Sequence, residues 1–243
     1  MKKYRYETHL HTAPASKCGR ADVRSTLTFY KSLGYDGVFI TNHFINGNIG
    51  CSKDLPYEEK LNFYFADYEE GLCIGEELGI RVFCGIECYY EGSEFLVYGL
   101  DKQWFLDHPE IQEMEQSKKL SCFSEAGALL VQVHPFRERA YIDHIHLFPR
   151  HVHAIETYNA SESSKNNALA EVLAHHYELI SFAGSDNHRG GAVRTGATEK
   201  RLGGMESDTP IENVQAFIAQ LKSGELTPFS MKLAVENGVA LLD

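Results

Sequence analysis

The feature that most constrains the fold is a regular alternation of strand-like and helix-like segments along the chain. Short apolar runs such as "GVFITN" and "ALLVQVHP" have the length of buried strands, whereas "ADVRSTLTFYKSLGY" and "SKNNALAEVLAHHYEL" space their apolar residues as helices do. Repeated β–α alternation predicts a parallel sheet with helices packed outside it. We therefore expect an α/β fold, in which about seven strand–helix units suit a TIM-like barrel better than a short open sheet.

The same segments predict one domain over residues 1–243. Its motif-bearing part covers about residues 4–190, and a C-terminal helix with closing strands covers about 191–243. The glycine-rich run "GGAVRTGATEKRLGG" lacks the spacing of nucleotide-binding loops, so we interpret it as a flexible loop near the site.

Two histidines stand at the end of the first strand-like segment, "KYRYETHLH". His9 and His11 are two residues apart, so in a strand their side chains share one face. Two imidazoles on one face can bind one metal ion.

Residue types that bind metals recur at the ends of the later strands. They are His43, Glu87, His134, Asp186 and His188. The carboxyl ends of strands in a parallel barrel lie on one face, where active sites form. Imidazole nitrogen combined with carboxylate oxygen suits Mn, Fe or Zn better than Ca or Mg. The pattern predicts a shared metal site at this face.

Composition limits the partners of such a site. The chain has 23 Lys and Arg against 34 Asp and Glu, a net charge of −11. This charge argues against wrapping of nucleic acid, because cationic contacts to phosphates supply most of that affinity. The sequence has six cysteines without a CxxC pair, no secretory signal in "MKKYRYETHLH" and no apolar run of membrane-spanning length. We expect a cytoplasmic protein with reduced thiols and no membrane partner.

Six short motifs occur in a consistent order. They are "HLHT" at 9–12, "ITNHF" at 40–44, "GIE" at 85–87, "VHPF" at 133–136, "IETYN" at 155–159 and "GSDNH" at 184–188. As a set they resemble the PHP (polymerase and histidinol phosphatase) phosphoesterases. The resemblance implies a distorted barrel with a cluster of two or three divalent metal ions that hydrolyses phosphoesters.

The resemblance also implies roles for the strand-end residues. His9 and His11 would bind one metal ion together with Asp186. Glu87 would bridge that ion to a second one, which His134 would also hold.

The resemblance is incomplete around the third metal ion, to which His43 and His188 would contribute. Many PHP proteins have an Asp or His in the loop after the HxH motif, whereas this loop reads "APASKCGR" and offers only Cys18. Asn42 stands where many relatives have Asp. The second metal ion often takes a further His, and here the nearest candidate is Glu94. We expect two firmly bound ions and a weaker third.

The family chemistry would be attack on phosphorus by a metal-activated hydroxide, with Asp186 or His188 assisting proton transfer. Arg137, just after a strand that ends in a predicted ligand, is the first candidate to bind the substrate phosphate, because a guanidinium fork fits two phosphate oxygens. Arg20 and Arg194 are further candidates.

Three functions therefore stay open. The first is a phosphoesterase for a small phosphorylated metabolite or nucleotide, with nucleic acid entering only as an oligonucleotide substrate. The second is a barrel amidohydrolase, although no predicted strand ends in the Lys that such enzymes use between two metal ions. The third is a non-catalytic regulatory or binding domain stabilised by metal. The sequence does not indicate the oligomeric state.

Overall fold

The computed structural model describes residues 2–236 and 238–241. The strands are β1 (Tyr4–Leu10), β2 (Gly37–Ile40), β3 (Arg81–Tyr90), β4 (Ser93–Tyr98), β5 (Leu129–Val133), β6 (Ala154–Asn159), β7 (Ile180–Gly184), β8 (Glu199–Ser207), β9 (Thr227–Glu236) and β10 (Val239–Leu241). The α-helices are α1 (Val23–Ser32), α2 (Tyr57–Leu78), α3 (Lys102–Asp107), α4 (Gln116–Glu125), α5 (Ser164–His176) and α6 (Val214–Ser223). A short 3₁₀ helix covers Pro109–Gln112.

All ten strands join one mixed sheet in the order β10-β9-β8-β1-β2-β3-β4-β5-β6-β7. Pairing is parallel from β1 to β3 and from β5 to β7. It is antiparallel on both sides of β4 and from β1 out to β10. The α/β class is thus confirmed.

The predicted barrel of about seven strand–helix units needs correction. The sheet is not closed, and β3 turns directly into β4 through a hairpin instead of a helix. Within the described residues, β1 and β7 approach each other only at their carboxyl ends. There the His11 N–H donates to the Asn187 carbonyl at 2.9 Å and the Asp186 N–H donates to the His9 carbonyl at 2.7 Å. The curled sheet therefore still brings the ends of its first and seventh strands together.

The segment after β7 also differs from the prediction. The second half of the glycine-rich run forms β8, which pairs with β1 on one side and β9 on the other. Gly204 allows this pairing, because a Cβ built there would lie 2.1 Å from the Tyr6 carbonyl oxygen. The glycines thus permit close contact between strands.

Local sequence accounts for the helices that support the sheet. Asp22 caps α1, accepting from the Ser25 N–H at 2.7 Å, as its position before an apolar periodic segment predicts. Gly79 ends α2 in the left-handed conformation. Within the described residues, no helix combines the length and apolar character needed to cross a bilayer.

Aromatic side chains fill much of the space inside the curled sheet. Phe217 of α6 packs on Phe39 of β2 with ring centroids 4.4 Å apart, and Tyr98 of β4 lies 5.2 Å from the same phenylalanine ring. All three side chains are completely buried. This apolar core supports the strands whose carboxyl ends form the site.

Candidate metal centre

The HxH pair lies at the end of β1, and its hydrogen bonds fix which ring nitrogens face the centre. His9 Nδ1 lies 2.8 Å from a Glu156 carboxylate oxygen and therefore carries the hydrogen. His11 Nδ1 lies 3.1 Å from Ser16 Oγ, whose own hydrogen goes to the Asn42 side-chain oxygen at 2.8 Å. Both imidazoles thus have the tautomer that directs the Nε2 lone pair inward, and the two Nε2 atoms are 3.4 Å apart.

Glu87 of β3 lies at the middle of the histidines. Its Oε1 is 3.0 Å from His9 Nε2 and 3.4 Å from His134 Nε2. Its Oε2 is 3.5 Å from His11 Nε2 and 2.6 Å from His43 Nδ1. One buried carboxylate therefore faces four imidazoles, as a bridging ligand between metal ions does.

Asp186 and His188 follow β7 and complete the opposite side of the cluster. Asp186 Oδ1 lies 3.3 Å from His11 Nε2 and 3.7 Å from His9 Nε2. The His188 ring stacks on His11 with centroids 4.1 Å apart. Asp186 and His134 have positive φ, at 51° and 31°, which is uncommon for residues with side chains. Such backbone strain concentrates at functional sites, where it aims a side chain.

Glu94 enters from the start of β4, next to Glu87. Its oxygens lie 3.6 Å from His43 Nδ1 and 3.4 Å from His134 Nε2. Arg137 closes this side, with one nitrogen 3.3 Å from Glu94 and another hydrogen-bonded to Asp186. All eight residues predicted as metal ligands thus meet at one face of the sheet.

Two atoms of the cluster show that it suits a cation. His43 Nδ1 and Glu87 Oε2 are buried and 2.6 Å apart, yet neither has a hydrogen-bond partner within residues 2–236 and 238–241. A buried polar atom without a partner is costly, and a metal ion in contact with both atoms would satisfy them. Four groups of three donors have ligand atoms within 4.8 Å of one another. These groups are His9–His11–Asp186, His9–Glu87–His134, His43–Glu87–Glu94 and His11–His43–His188.

The protonation balance of the cluster agrees with this interpretation. Burial works against charge on His9, but nearby carboxylates, led by Glu156, hold its pKa well above the ordinary value. Burial likewise opposes ionisation of Glu87, but the imidazoles, led by His43, hold its pKa well below the usual range. Burial keeps the pKa of His11 well below normal. The carboxylates thus favour positive charge at the centre of the site, which a metal ion would supply in place of the proton on His9.

The loop after the HxH motif is anchored by side chains that the sequence analysis did not assign. Asp67 of α2 is buried and accepts from Thr12 Oγ1 at 2.6 Å and from the Ala15 N–H at 3.3 Å. Asn42 donates to Thr12 Oγ1 at 2.8 Å. Cys18 lies in the same loop. Burial alone would raise the pKa of its thiol, but hydrogen bonds from His188 and His43 outweigh burial and lower the pKa to about 6. Cys18 thus lies beside two of the histidines that the sequence predicts as ligands.

Glu156 of β6 is the main functional residue that the sequence analysis missed. Besides holding His9, it accepts from the His134 N–H at 2.9 Å and from Asn159 Nδ2 at 2.8 Å. Glu7, on the same face of β1 as the histidines, accepts from the His9 N–H at 2.9 Å. The signal for both was an acidic residue in the interior of a predicted strand.

Two cavities open beside the cluster and share Cys18, Arg137 and His188 in their walls. The first has a volume of about 490 Å³ and also contains Arg20 and Arg194. The second has a volume of about 770 Å³ and lies on the side of His43 and Glu94. Arg20 and Arg194 therefore line one cavity, and Arg137 lies between the two.

Comparison with known proteins identifies the fold. No protein-family model matches the sequence. No curated protein is similar enough to count as a relative. Solved structures do match, and three of them are described below.

One is a two-domain protein from Bacteroides vulgatus, described as containing a predicted PHP-like metal-dependent phosphoesterase. It matches with a TM-score of 0.66 at 15% sequence identity. The match covers 94% of the present chain and only 65% of the Bacteroides protein. A protein from Bifidobacterium adolescentis, described as a candidate metal-dependent phosphoesterase, has a TM-score of 0.50 at 14% identity over 77% of this chain and 88% of its own. An amidohydrolase from Chromobacterium violaceum with bound sulfate has a TM-score of 0.52 at 13% identity over 92% of this chain and 97% of its own. At the level of the fold, the resemblance to PHP proteins is confirmed.

Proposed function

We propose that the protein is a metal-dependent hydrolase of phosphoesters that acts on a small phosphorylated metabolite or nucleotide. The observation that carries this proposal is the convergence of inward-facing imidazole nitrogens and carboxylate oxygens around Glu87, with two buried atoms that lack a hydrogen-bond partner among the described residues. Imidazole and carboxylate together favour Mn, Fe or Zn.

The groups of donor atoms support two metal sites, and a third metal site with a different set of ligands. His9, His11 and Asp186 would hold one ion, and Glu87 and His134 would hold a second. The third set would combine His43 and His188 with Cys18 or with other members of the cluster. Divalent ions held there would lower the pKa of water and offset the charge that develops on a phosphoryl group.

Side chains of the cluster would handle the proton and the phosphate charge. We favour His188 over Asp186 for proton transfer, because Asp186 is held in contacts to His11 and Arg137 while His188 reaches both cavities. Arg137 also bonds Glu162 at 2.8 Å, so its guanidinium is held rigidly by three carboxylates. It keeps its charge, and its position between the cavities supports a role in orienting the phosphate.

The alternatives are less well supported. Hydrolysis of a C–N bond remains the second candidate because one protein of the same fold is described as an amidohydrolase. The arginines around the first cavity favour an anionic substrate instead. A non-catalytic binding domain would also retain the metal cluster, so activity decides between these functions.

The test is phosphate release from Mn-loaded protein across a panel of phosphomonoesters, and of phosphodiesters coupled to a monoesterase. We expect release that requires metal and falls at least about a hundredfold in Asp186→Ala, because loss of a ligand to the ion removes its stabilisation of the transition state. Asp107→Ala, at an exposed residue of α3, is the matched control. A protein that binds metal and releases no phosphate from any ester would instead be an amidohydrolase or a binding domain.

A further inference from the structure

The first cavity concentrates positive charge on an otherwise acidic protein. Besides Arg137 it is lined by six cationic side chains: Arg20, Arg139, Arg189, Arg194, Lys200 and Arg201. The chain as a whole has a net charge of −11, so composition does not explain this cavity.

Most of this charge lacks acidic partners. Arg139 pairs with Glu162 at 3.0 Å, and Arg201 is 3.9 Å from Glu199. In the described part of the chain, no carboxylate forms an ion pair with Arg20, Arg189 or Arg194. The cavity therefore has an excess of positive charge that an anionic ligand would balance.

Three separate parts of the fold bring these cations together. Arg189 and Arg194 follow β7, and Lys200 belongs to β8. Arg20 comes from the loop after β1, where its backbone N–H donates to the His188 carbonyl at 2.7 Å. Charged residues that are merely solvated at the surface often lie along one helix or strand, whereas these come from three. The arrangement is instead that of a ligand pocket joined to the metal cluster through His188.

A single phosphate group cannot contact all of the cationic side chains that line the first cavity. The phosphate under attack would lie at the metal donors, next to Arg137. Arg20, Arg189 and Arg194 would then lie beside it without a partner. Lys200 adds to this excess, and its amine lies 3.1 Å from both the Asn187 side-chain oxygen and the Ala192 carbonyl.

We propose that the substrate carries a second phosphate group, which binds in the arginine-lined cavity beside the metal cluster. This inference rests on the proposed phosphoesterase function and specifies its substrate class as small bisphosphorylated compounds. The rest of the substrate would extend toward the second cavity, where Asn46, Asn48 and Tyr141 offer hydrogen bonds. The net negative charge of the chain disfavours a long polyanion.

Inorganic phosphate is the first probe, measured by calorimetry on metal-stripped and Mn-loaded protein. Stripped protein is expected to bind one phosphate, and the double variant Arg189→Gln, Arg194→Gln to bind it at least about tenfold more weakly, because charge-assisted hydrogen bonds are lost. Arg24→Gln is the control, since Arg24 is an exposed residue of α1 that pairs with Glu77 away from the cavity. No phosphate binding by stripped protein, or equal affinity in the double variant and the control, would overturn the inference.

Matched substrates then test the class. Glucose 1,6-bisphosphate against glucose 1-phosphate, and fructose 1,6-bisphosphate against fructose 6-phosphate, differ only in the second phosphate. We expect a kcat/KM at least about tenfold higher for the bisphosphates, with the ratio reduced in the double variant. Equal kcat/KM within both pairs, or a preference for oligonucleotides, would contradict a second-phosphate site. Absence of all hydrolysis would contradict the proposed function, while the calorimetry would still decide whether the phosphate pocket exists.

Discussion

At the scale of single residues, Glu156 shows how a side chain outside the donor set controls the metal centre. It fixes the tautomer of His9 and holds the backbone of His134 while remaining fully buried. We expect Glu156→Gln to weaken metal binding by about 10- to 100-fold, because an amide cannot accept all three hydrogen bonds. Competition with a chelator measures the affinity.

Glu171→Gln is the matched control for this prediction, since Glu171 is an exposed residue of α5. Equal metal affinity in the two variants would show that Glu156 does not orient the ligands.

Lys200 predicts a pH dependence of phosphate binding. An ordinary lysine has a pKa of about 10.4. Burial and the nearby Arg189 lower the pKa of Lys200 to about 8, although the negative charge of Glu7 acts in the opposite direction. Its ammonium also faces the Phe29 ring at 5.6 Å. The lysine is therefore charged below pH 8 and neutral above it, so phosphate affinity of metal-stripped protein should fall as the pH rises from 7 to 9.

Calorimetry with inorganic phosphate at several pH values measures this fall. In Lys200→Arg the affinity should change little over the same interval, because arginine stays protonated. A fall of the same size in Lys200→Arg would assign the titration to another group.

Residue types and places at strand ends were sufficient to predict seven of the eight candidate ligands, whereas Glu94 was assigned only through the resemblance to PHP proteins. His9 and His11 followed from strand alternation, and Glu87, His134 and Asp186 from their places at strand ends. Glu156 and Asp67 could not be assigned in the same way, because they act through hydrogen bonds whose partners are far apart in sequence.

At the scale of secondary-structure elements, the close packing of β7 on β1 is essential to the site. A Cβ at Gly184 would lie 2.5 Å from His9 Cβ and 3.0 Å from a Glu156 oxygen. We expect Gly184→Ala to lower the free energy of unfolding by about 1–3 kcal/mol and to reduce metal binding, because the strands must separate. Urea unfolding and metal analysis measure the two effects.

Gly47→Ala is the control, because its Cβ would make contacts of 3.4–3.5 Å, close to ordinary van der Waals distance. If both variants unfold at the same urea concentration, the contact between β7 and β1 does not limit stability.

Most helices and strands could be predicted from local patterns, such as the Asp22 cap and the apolar spacing of α1. β8 was missed because its glycines are typical of loops. They are needed there for contact with Tyr6 of β1, which no local pattern reveals.

At the scale of the whole molecule, the alternating segments predict the α/β class. Closure of the sheet could not be predicted, because it depends on how strands far apart in sequence pair and align with one another. Among the described residues β10 and β7 are the edge strands and do not pair with each other, so the sheet stays open. The predicted ligands still converge, because the carboxyl ends of β1 and β7 are joined by backbone hydrogen bonds. The site therefore needs the curl of the sheet and not its closure.

Metal content is the measurement that tests the account most directly. The protein would be loaded with Mn, separated from free ion by gel filtration and analysed for metal per chain, beside Glu87→Gln, with circular dichroism to confirm that both are folded. The account predicts at least two ions per wild-type chain and a clear loss in the folded variant, because Glu87 faces four of the imidazoles. A wild-type chain without bound metal, or a variant that holds as much as wild type, would contradict it.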